Sequence, residues 1–255
     1  ALVRVAGGHP VKRIVADLHI HTCLSPCGEL TMSPRRIVQE ARRQGIGLLA
    51  VTDHNSARMV DAVATACAEA GLEFLYGIEL QTREEVHLLA YFNDSSSCRQ
   101  LAEALDPHLP DQPNRPEYFG DQVVVDVEET ILGCEPRLLI NSLDVGFDDA
   151  VARIRRLGGL PVPAHVDRET YGLIAQLGFV PEGLTFDLVE TMTGTLPEGF
   201  GRAAAICSSD AHSPEQIGRR TTCFTMNACT IEEMVLAAQG IDGRSVVCQV
   251  EGRRS

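Results

Sequence analysis

Two histidines separated by one residue follow an apolar run near the start of the chain. The run is Ile14-Val15-Ala16, and the segment after it reads Asp17-Leu18-His19-Ile20-His21. On a strand, residues two positions apart point to the same side of the sheet. The imidazoles of His19 and His21 are therefore predicted to lie close enough together to share one metal ion.

Further polar side chains follow other apolar runs in the same way. Six of the chain's eight histidines belong to this set, and His9 and His108 fall outside it. The full set is His19, His21, Asp53, His54, Glu79, His87, His165, Asp210 and His212. Imidazoles and carboxylates without a cysteine pair suit zinc, manganese or iron in a catalytic site. Taken singly, some members have plainer explanations: His87 or His165 as a core histidine, and Asp53 with His54 as an Asx-capped turn.

The elements that carry these residues alternate between strands and helices. Residues 48–52 read as a buried strand that runs into Asp53, while Ser33 and Pro34 begin a helix that continues to about Arg43. Repetition of this strand–helix unit predicts parallel strands in an α/β fold. In α/β barrels the carboxyl ends of the strands form the rim that holds the active site.

The chain is predicted to form one domain. Its 255 residues are enough for a single α/β barrel, and we place the core at about residues 14–250 of a domain spanning 1–255. Residues 107–120 are rich in proline and polar side chains, which is typical of an insertion or a mobile loop. With the acidic stretch that follows, this gives a predicted rim insertion at about 107–145.

Net charge and cysteine usage indicate which binding partners and which cellular compartment to expect for this chain. The formal net charge of -13 argues against a non-specific grip on nucleic acid, so no stable nucleic-acid binding is expected. An anionic substrate would then be attracted by bound metal. Nine cysteines without C-x-x-C spacing fit a reducing cytoplasm, and the first ten residues lack an apolar signal core. No apolar run reaches the length of a membrane span.

Several motifs together resemble the PHP (polymerase and histidinol phosphatase) family. They occur in family order between about residues 14 and 226: Asp17-Leu18-His19-Ile20-His21-Thr22, Val51-Thr52-Asp53-His54-Asn55, Gly77-Ile78-Glu79, His87, Pro163-Ala164-His165 and Ser208-Ser209-Asp210-Ala211-His212. The similarity is greatest to the stand-alone metal-dependent phosphoesterases of that family. It implies a distorted (β/α)7 TIM-like barrel with two or three divalent metal ions (zinc, manganese or iron) at its rim.

The resemblance also implies which residues hold each ion. The first ion would take His19, His21, Glu79 and Asp210. Glu79 would bridge to a second ion that His87 and His165 also bind, and His54 and His212 would bind a third. Relatives supply another third-site ligand from the loop after the first motif, which here reads Ser25-Pro26-Cys27-Gly28. Cys27 is therefore either a thiolate ligand or a small packing residue, with water and substrate oxygen completing the site in the second case.

Such a site predicts hydrolysis of a phosphoester by a metal-bridging hydroxide, on a small phosphorylated molecule such as a nucleotide. His212 or His54, where not bound to metal, would protonate the leaving oxygen, and Asp53 would fix a histidine tautomer. Arg168 is a candidate phosphate ligand, with a salt bridge to Asp167 or Glu169 as the alternative. The second choice for phosphate contacts is Arg219 and Arg220, with surface charge as the alternative.

Two other functions stay open at this point. The first is an amidohydrolase-type carbon–nitrogen hydrolase, which usually carries a bridging modified lysine. The chain has one lysine, Lys12, before the first strand, and this weakens that alternative. The second is a non-catalytic regulatory module that keeps the metal site for stability or sensing.

Overall fold

The computed structural model describes residues 11–250, in which strands and helices are interleaved. The strands are β1 (Lys12–Asp17), β2 (Leu48–Val51), β3 (Glu73–Gln81), β4 (His87–Phe92), β5 (Val123–Val125), β6 (Ile131–Cys134), β7 (Leu160–Pro163), β8 (Leu188–Glu190), β9 (Ala204–Ile206), β10 (Arg220–Met226) and β11 (Ser245–Val250). The helices are α1 (Pro34–Arg43), α2 (Val60–Ala70), α3 (Ser95–Leu105), α4 (Pro116–Phe119), α5 (Phe147–Arg156), α6 (Leu173–Leu177) and α7 (Ile231–Ala238). The signal-peptide interpretation concerned residues 1–10, which lie outside the described residues.

Seven of the strands form one mixed sheet in the order β11-β10-β1-β2-β3-β4-β7. The central pairs β1–β2 and β2–β3 are parallel, whereas β3–β4, β4–β7, β1–β10 and β10–β11 are antiparallel. The predicted α/β class is confirmed. Uniform parallel strand–helix repetition is wrong, because β3 and β4 are joined by a connection of five residues. A parallel pair needs a crossover of about a dozen residues or more.

The β8–β9 pair lies between the two edges of the seven-stranded sheet, with β8 next to β7 and β9 next to β11. The backbone N–H of Val166, just after β7, donates to the carbonyl of Glu190 at the end of β8 (3.0 Å). On the other side, Ile20 after β1 forms a parallel bridge with Ala211 after β9. The segments that follow β1, β7, β8 and β9 are therefore drawn to the same end of the fold.

Alternate residues of the central strands enter two separate apolar cores. Leu48 and Ala50 of β2 belong to a cluster of strand residues that also includes the buried face of α7. Leu49 and Val51 belong to the cluster that contains Ile37 of α1 and other helix residues. A strand that is buried on both faces reads as a continuous apolar run, as β2 does. This two-sided burial fixes the register of the strand ends that carry the polar residues.

Residues 107–145 contain the short helix α4 and the β5–β6 hairpin. The hairpin lies against the loop after the first motif, since the N–H of Val123 donates to the carbonyl of Cys23 (2.9 Å). The Asn55 amide donates to the carbonyls of Leu139 and Asn141 (2.8 and 3.0 Å). The single domain and the insertion at this position stay predictions. No helix in the described part of the chain is long and apolar enough to cross a membrane.

Candidate metal centre

His19 and His21 extend beyond β1 with their rings 5.2 Å apart, as their spacing predicted. The Nε2 atom of each ring lies 3.4–3.5 Å from Oδ1 of Asp210, which follows β9. The same two nitrogen atoms lie 3.2 and 3.3 Å from the carboxylate oxygens of Glu79. Two imidazoles and two carboxylates from three strand ends thus converge on one point.

Glu79 is the centre of a larger group of histidines. Its carboxylate is 2.8 Å from His87 Nδ1, 3.3 Å from His165 Nε2 and 3.2 Å from His54 Nδ1. Glu79 is 1% exposed. Burial opposes its ionisation, but the surrounding imidazoles, His87 foremost, hold the pKa of the carboxyl well below its usual range. A carboxylate that stays ionised at this depth is well suited to bind cations.

Several nitrogen and oxygen atoms in this group are buried without a hydrogen-bond partner. Among the described residues they include His19 Nε2, His21 Nε2, His54 Nδ1 and Glu79 Oε2. Buried polar atoms are normally paired, and leaving one unpaired costs about 1–3 kcal/mol. Unpaired nitrogen and oxygen atoms that face one another across a few ångströms are the arrangement expected of metal ligands. The residues present therefore fit the group that the sequence implied.

Three combinations of residues bring their ligand atoms within 4.8 Å of one another. They are His19 with His21 and Asp210, Glu79 with His87 and His165, and His21 with Cys27 and His54. The first two reproduce sets expected from the resemblance. The third contains the Cys27 thiol, which the sequence left open as either a metal ligand or a packing residue.

Two supporting residues orient the first histidines. Glu190, at the end of β8, accepts a hydrogen bond from His19 Nδ1 (2.9 Å) and another from the backbone N–H of His165 (3.1 Å). Ser25 is 3.0 Å from His21 Nδ1 and donates its own hydroxyl to Asp53 (2.6 Å). Such contacts fix which ring nitrogen faces a metal. Neither Glu190 nor Ser25 was predicted, although Glu190 ends a strand as the other site residues do.

Asp53 lies behind the cluster and not in it. Besides Ser25, its carboxylate accepts from the backbone N–H of Thr22 (2.8 Å) and the Thr22 hydroxyl (2.7 Å). Asp53 therefore reaches His21 through Ser25, and its role as the partner of a histidine stays a prediction.

His212 and Arg168 lie on the more exposed side of the cluster. The His212 ring stacks on His21 with 4.4 Å between centroids, and its Nδ1 is 2.9 Å from the Asp210 carbonyl oxygen. Burial, with His21 nearby, lowers the pKa of His212 to about 4. Arg168 donates to Asp210 Oδ2 (3.1 Å) and not to its sequence neighbours. Asp167 instead accepts from the backbone of Met192 and Thr193, so the expected alternative pairing of Arg168 with Asp167 is wrong.

Arg219 and Arg220 have a different role from that of Arg168. Arg219 donates to the carbonyls of Ser209 and Asp210, and Arg220 donates to those of Ser208 and Ser209. Their guanidinium groups thus hold the loop that delivers Asp210. Lys12 is exposed at the start of β1 and is not part of the cluster.

Three non-glycine residues of this site have a left-handed backbone conformation. Asn55, His165 and Asp210 adopt positive φ angles of 50°, 29° and 51°. Non-glycine residues rarely occupy this region, and the cost is of order 1–3 kcal/mol each. Strain of this kind persists where the surrounding structure enforces it, and it is commonly found at functional sites.

Comparison with known proteins agrees with the geometry. Residues 17–139 match the sequence profile of the PHP domain. This segment contains the first two motifs, Glu79 and His87, whereas His165, Asp210 and His212 lie beyond it. The resemblance stated from the motifs is confirmed.

Similar proteins include nucleic-acid enzymes. A 5'-3' exoribonuclease from Haemophilus influenzae is 30% identical over 89 residues, which cover 34% of this chain and 31% of the relative. Endonuclease Q from Pyrococcus furiosus, described as a lesion-specific endonuclease, shares the fold with a TM-score of 0.69 at 18% identity. Endonuclease Q in complex with a 27-mer duplex that has an abasic lesion at the active site gives 0.66 at 19% identity. Both endonuclease structures match 92% of this chain.

The chain matches only part of the length of these proteins. It spans about a third of the exoribonuclease (31%) and 58% of the endonuclease Q chain. Their names nevertheless contradict the prediction of a small phosphorylated substrate without stable nucleic-acid binding. That prediction rested on a net charge of -13, which describes the whole surface. A site that holds phosphate through metal ions does not need a basic surface around it.

Proposed function

We propose that this chain is a metal-dependent hydrolase of phosphodiester bonds in nucleic acid. The observation that supports it most strongly is the convergence of five histidines, Asp210 and Glu79 with unpaired buried ligand atoms. The nuclease names of similar proteins support the substrate class. The absence of a predicted serine or cysteine nucleophile is consistent with attack by activated water.

We further propose two or three divalent ions. The first takes His19, His21, Glu79 and Asp210, and the second takes Glu79, His87 and His165. A third takes His54 and His212 together with Cys27, whose thiol lies within 4.8 Å of ligand atoms of His21 and His54. Bound ions of this kind supply activated water near neutral pH and neutralise charge on the phosphate.

The pKa shifts favour ligand roles for the histidines of the third set. Burial lowers the pKa of His54 well below its usual value and lowers that of His212 to about 4. Both imidazoles are thus neutral at pH 7, which is the form that binds metal. A neutral imidazole has no spare proton for the leaving oxygen. We therefore assign His54 and His212 to metal binding in preference to the acid role.

Arg168 is the side chain placed to contact a substrate phosphate. Its guanidinium group reaches Asp210 across the rim, and 38% of the side chain is exposed. An arginine binds phosphate through paired N–H donors. Its present contact uses one nitrogen, which leaves other donors for a phosphate oxygen.

The test is hydrolysis by metal-loaded protein of single-stranded DNA, single-stranded RNA and a DNA duplex with and without an abasic site. Bound metal is measured in the same preparation, with Zn²⁺ and Mn²⁺ supplied separately. Cleavage should disappear in Glu79→Gln and persist in the exposed control Glu103→Gln. Protein that contains metal but cleaves none of these substrates would overturn the proposal and favour the non-catalytic alternative.

A further inference from the structure

The segment between β7 and α6 passes along the edge of the metal centre. It begins at His165 and ends at Gly172, and we call it the rim segment. Besides His165 it contributes two large side chains to this edge, Arg168 and Tyr171. Arg168 contacts Asp210 on one side of the cluster, and Tyr171 contacts His87 on another.

Backbone hydrogen bonds and a close-packed glycine fix the conformation of the rim segment. The N–H of Arg168 donates to the His165 carbonyl (2.8 Å), and the carbonyl of Tyr171 accepts from the N–H of His87 (2.9 Å). A Cβ atom at Gly172 would lie 2.4 Å from the Arg168 carbonyl oxygen, so this position requires glycine. Tyr171 has a φ of 60°, which is rare for an aromatic residue. The ring is therefore held at this place against its backbone preference.

The Tyr171 ring lies nearly flat on the ring of His87. The centroids are 4.5 Å apart and the planes differ by 9°. One explanation is that Tyr171 orients His87. However, His87 is already fixed by Glu79 at Nδ1 (2.8 Å) and by Gln81 at Nε2 (3.1 Å). The need to orient His87 therefore does not explain why an aromatic ring stands at position 171. Tyr171 is also partly exposed beside the metal centre.

We propose that Tyr171 is the surface on which a nucleobase of the substrate stacks while Arg168 binds a phosphate. This inference rests on the proposed function and specifies how the same site holds its substrate. Bases stack on aromatic side chains with little dependence on sequence, and phosphate contacts set the position of the strand. Loss of one such stacking contact weakens binding by about 5- to 150-fold.

Because the chain contains no tryptophan, Tyr171→Trp introduces a single fluorescent reporter at this position. The probe is a phosphorothioate-linked single-stranded DNA, compared with a strand of the same length in which every base is replaced by an abasic residue. Stacking predicts quenching by the base-containing strand and little change with the abasic strand. Phe179→Trp, at an exposed aromatic position outside the rim segment, serves as the control and should respond to neither.

Binding constants of the substituted proteins complete the test. Tyr171→Leu should bind the base-containing strand about 5- to 150-fold more weakly, whereas Tyr171→Phe should bind it as the original protein does. Metal content should be the same in all three proteins. If Tyr171→Leu binds the base-containing strand as tightly as the original protein, or if it loses metal, the stacking inference is overturned and the proposed function is not. Absence of strand binding by the metal-loaded original protein would overturn the proposed function and this inference with it.

Discussion

Replacement of Glu190 by glutamine tests the organisation of the first metal site. Glu190 is 2% exposed, and its Oε2 atom accepts hydrogen bonds from His19 Nδ1 and from the His165 backbone. Glutamine has nearly the same shape, and its carbonyl oxygen can accept both bonds. The substitution therefore removes negative charge while it leaves the contacts in place. We expect metal binding to weaken without unfolding of the protein.

The magnitude follows from the type of hydrogen bond that is lost. A bond to a charged group contributes about 1.5–3 kcal/mol and a neutral one about 0.5–1.5 kcal/mol, a difference of about 1–1.5 kcal/mol. This corresponds to roughly tenfold in metal affinity. It agrees with the lower end of the 10–100-fold loss typical of mutations behind a metal ligand.

The effect of Glu190→Gln should depend on pH in a defined direction. Burial opposes protonation of His19, but Glu190, Glu79 and Asp210 together hold the pKa of His19 well above its usual value without metal. Protons therefore compete with metal for this ring. Removal of the Glu190 charge lowers that pKa and relieves the competition. The loss of metal affinity should be largest at high pH and smaller as the pH falls.

The assay is competition for Zn²⁺ between the protein and a chromophoric chelator across a range of pH. Glu103→Gln provides a matched control, because it makes the same chemical change at an exposed position. Circular dichroism confirms that both variants are folded. A Glu190→Gln protein that binds Zn²⁺ as tightly as the control at every pH would refute the role assigned to Glu190.

Three further predictions concern the metal centre. His19→Ala should abolish turnover and reduce bound metal, as measured by elemental analysis, and an active variant with full metal content would contradict the ligand assignment. Cys27→Ser should remove the near-ultraviolet thiolate-to-metal band of the Co²⁺-loaded protein; an unchanged spectrum would exclude Cys27 as a ligand. One metal ion at 100 times its Kd should stabilise the fold by about 2.7 kcal/mol, so chelation should lower Tm in calorimetry by roughly 5–10 °C for each occupied site, and an unchanged Tm would contradict a structural contribution.

Most polar residues of the site were predictable because the residues next to them in the sequence already indicate a strand end. His19, His21 and Asp210 each follow a short apolar run, and strand ends are where such residues meet. Glu190 also ends a strand, but its local sequence does not show which side chain it contacts, and Ser25 does not follow a strand directly. Glu190 meets His19 across 171 residues, and Ser25 meets Asp53 across 28. Their roles arise only when separate loops come together, so residue type alone does not reveal them.

The direction of the strands was less predictable than their positions. Strands near Glu73–Gln81 and His87–Phe92 were expected, but their parallel arrangement was wrong. A short apolar run shows that a strand exists and not which way it runs. The length of the connection carries that information, and residues 82–86 are too few for a crossover.

Net charge misled the choice of substrate because charge at the site and charge on the surface act over different distances. The carboxylates of Glu79, Asp210 and Glu190 lie at the cluster, and two divalent ions would outweigh their three negative charges. A phosphodiester in contact with the ions then meets local positive charge. At longer range the protein, with its formal net charge of -13, repels a polyanion. Salt at 0.1 M screens that repulsion at distances beyond about 10 Å. The proposed enzyme should therefore take hold of nucleic acid at the metal centre and beside Tyr171, and not by a broad basic face.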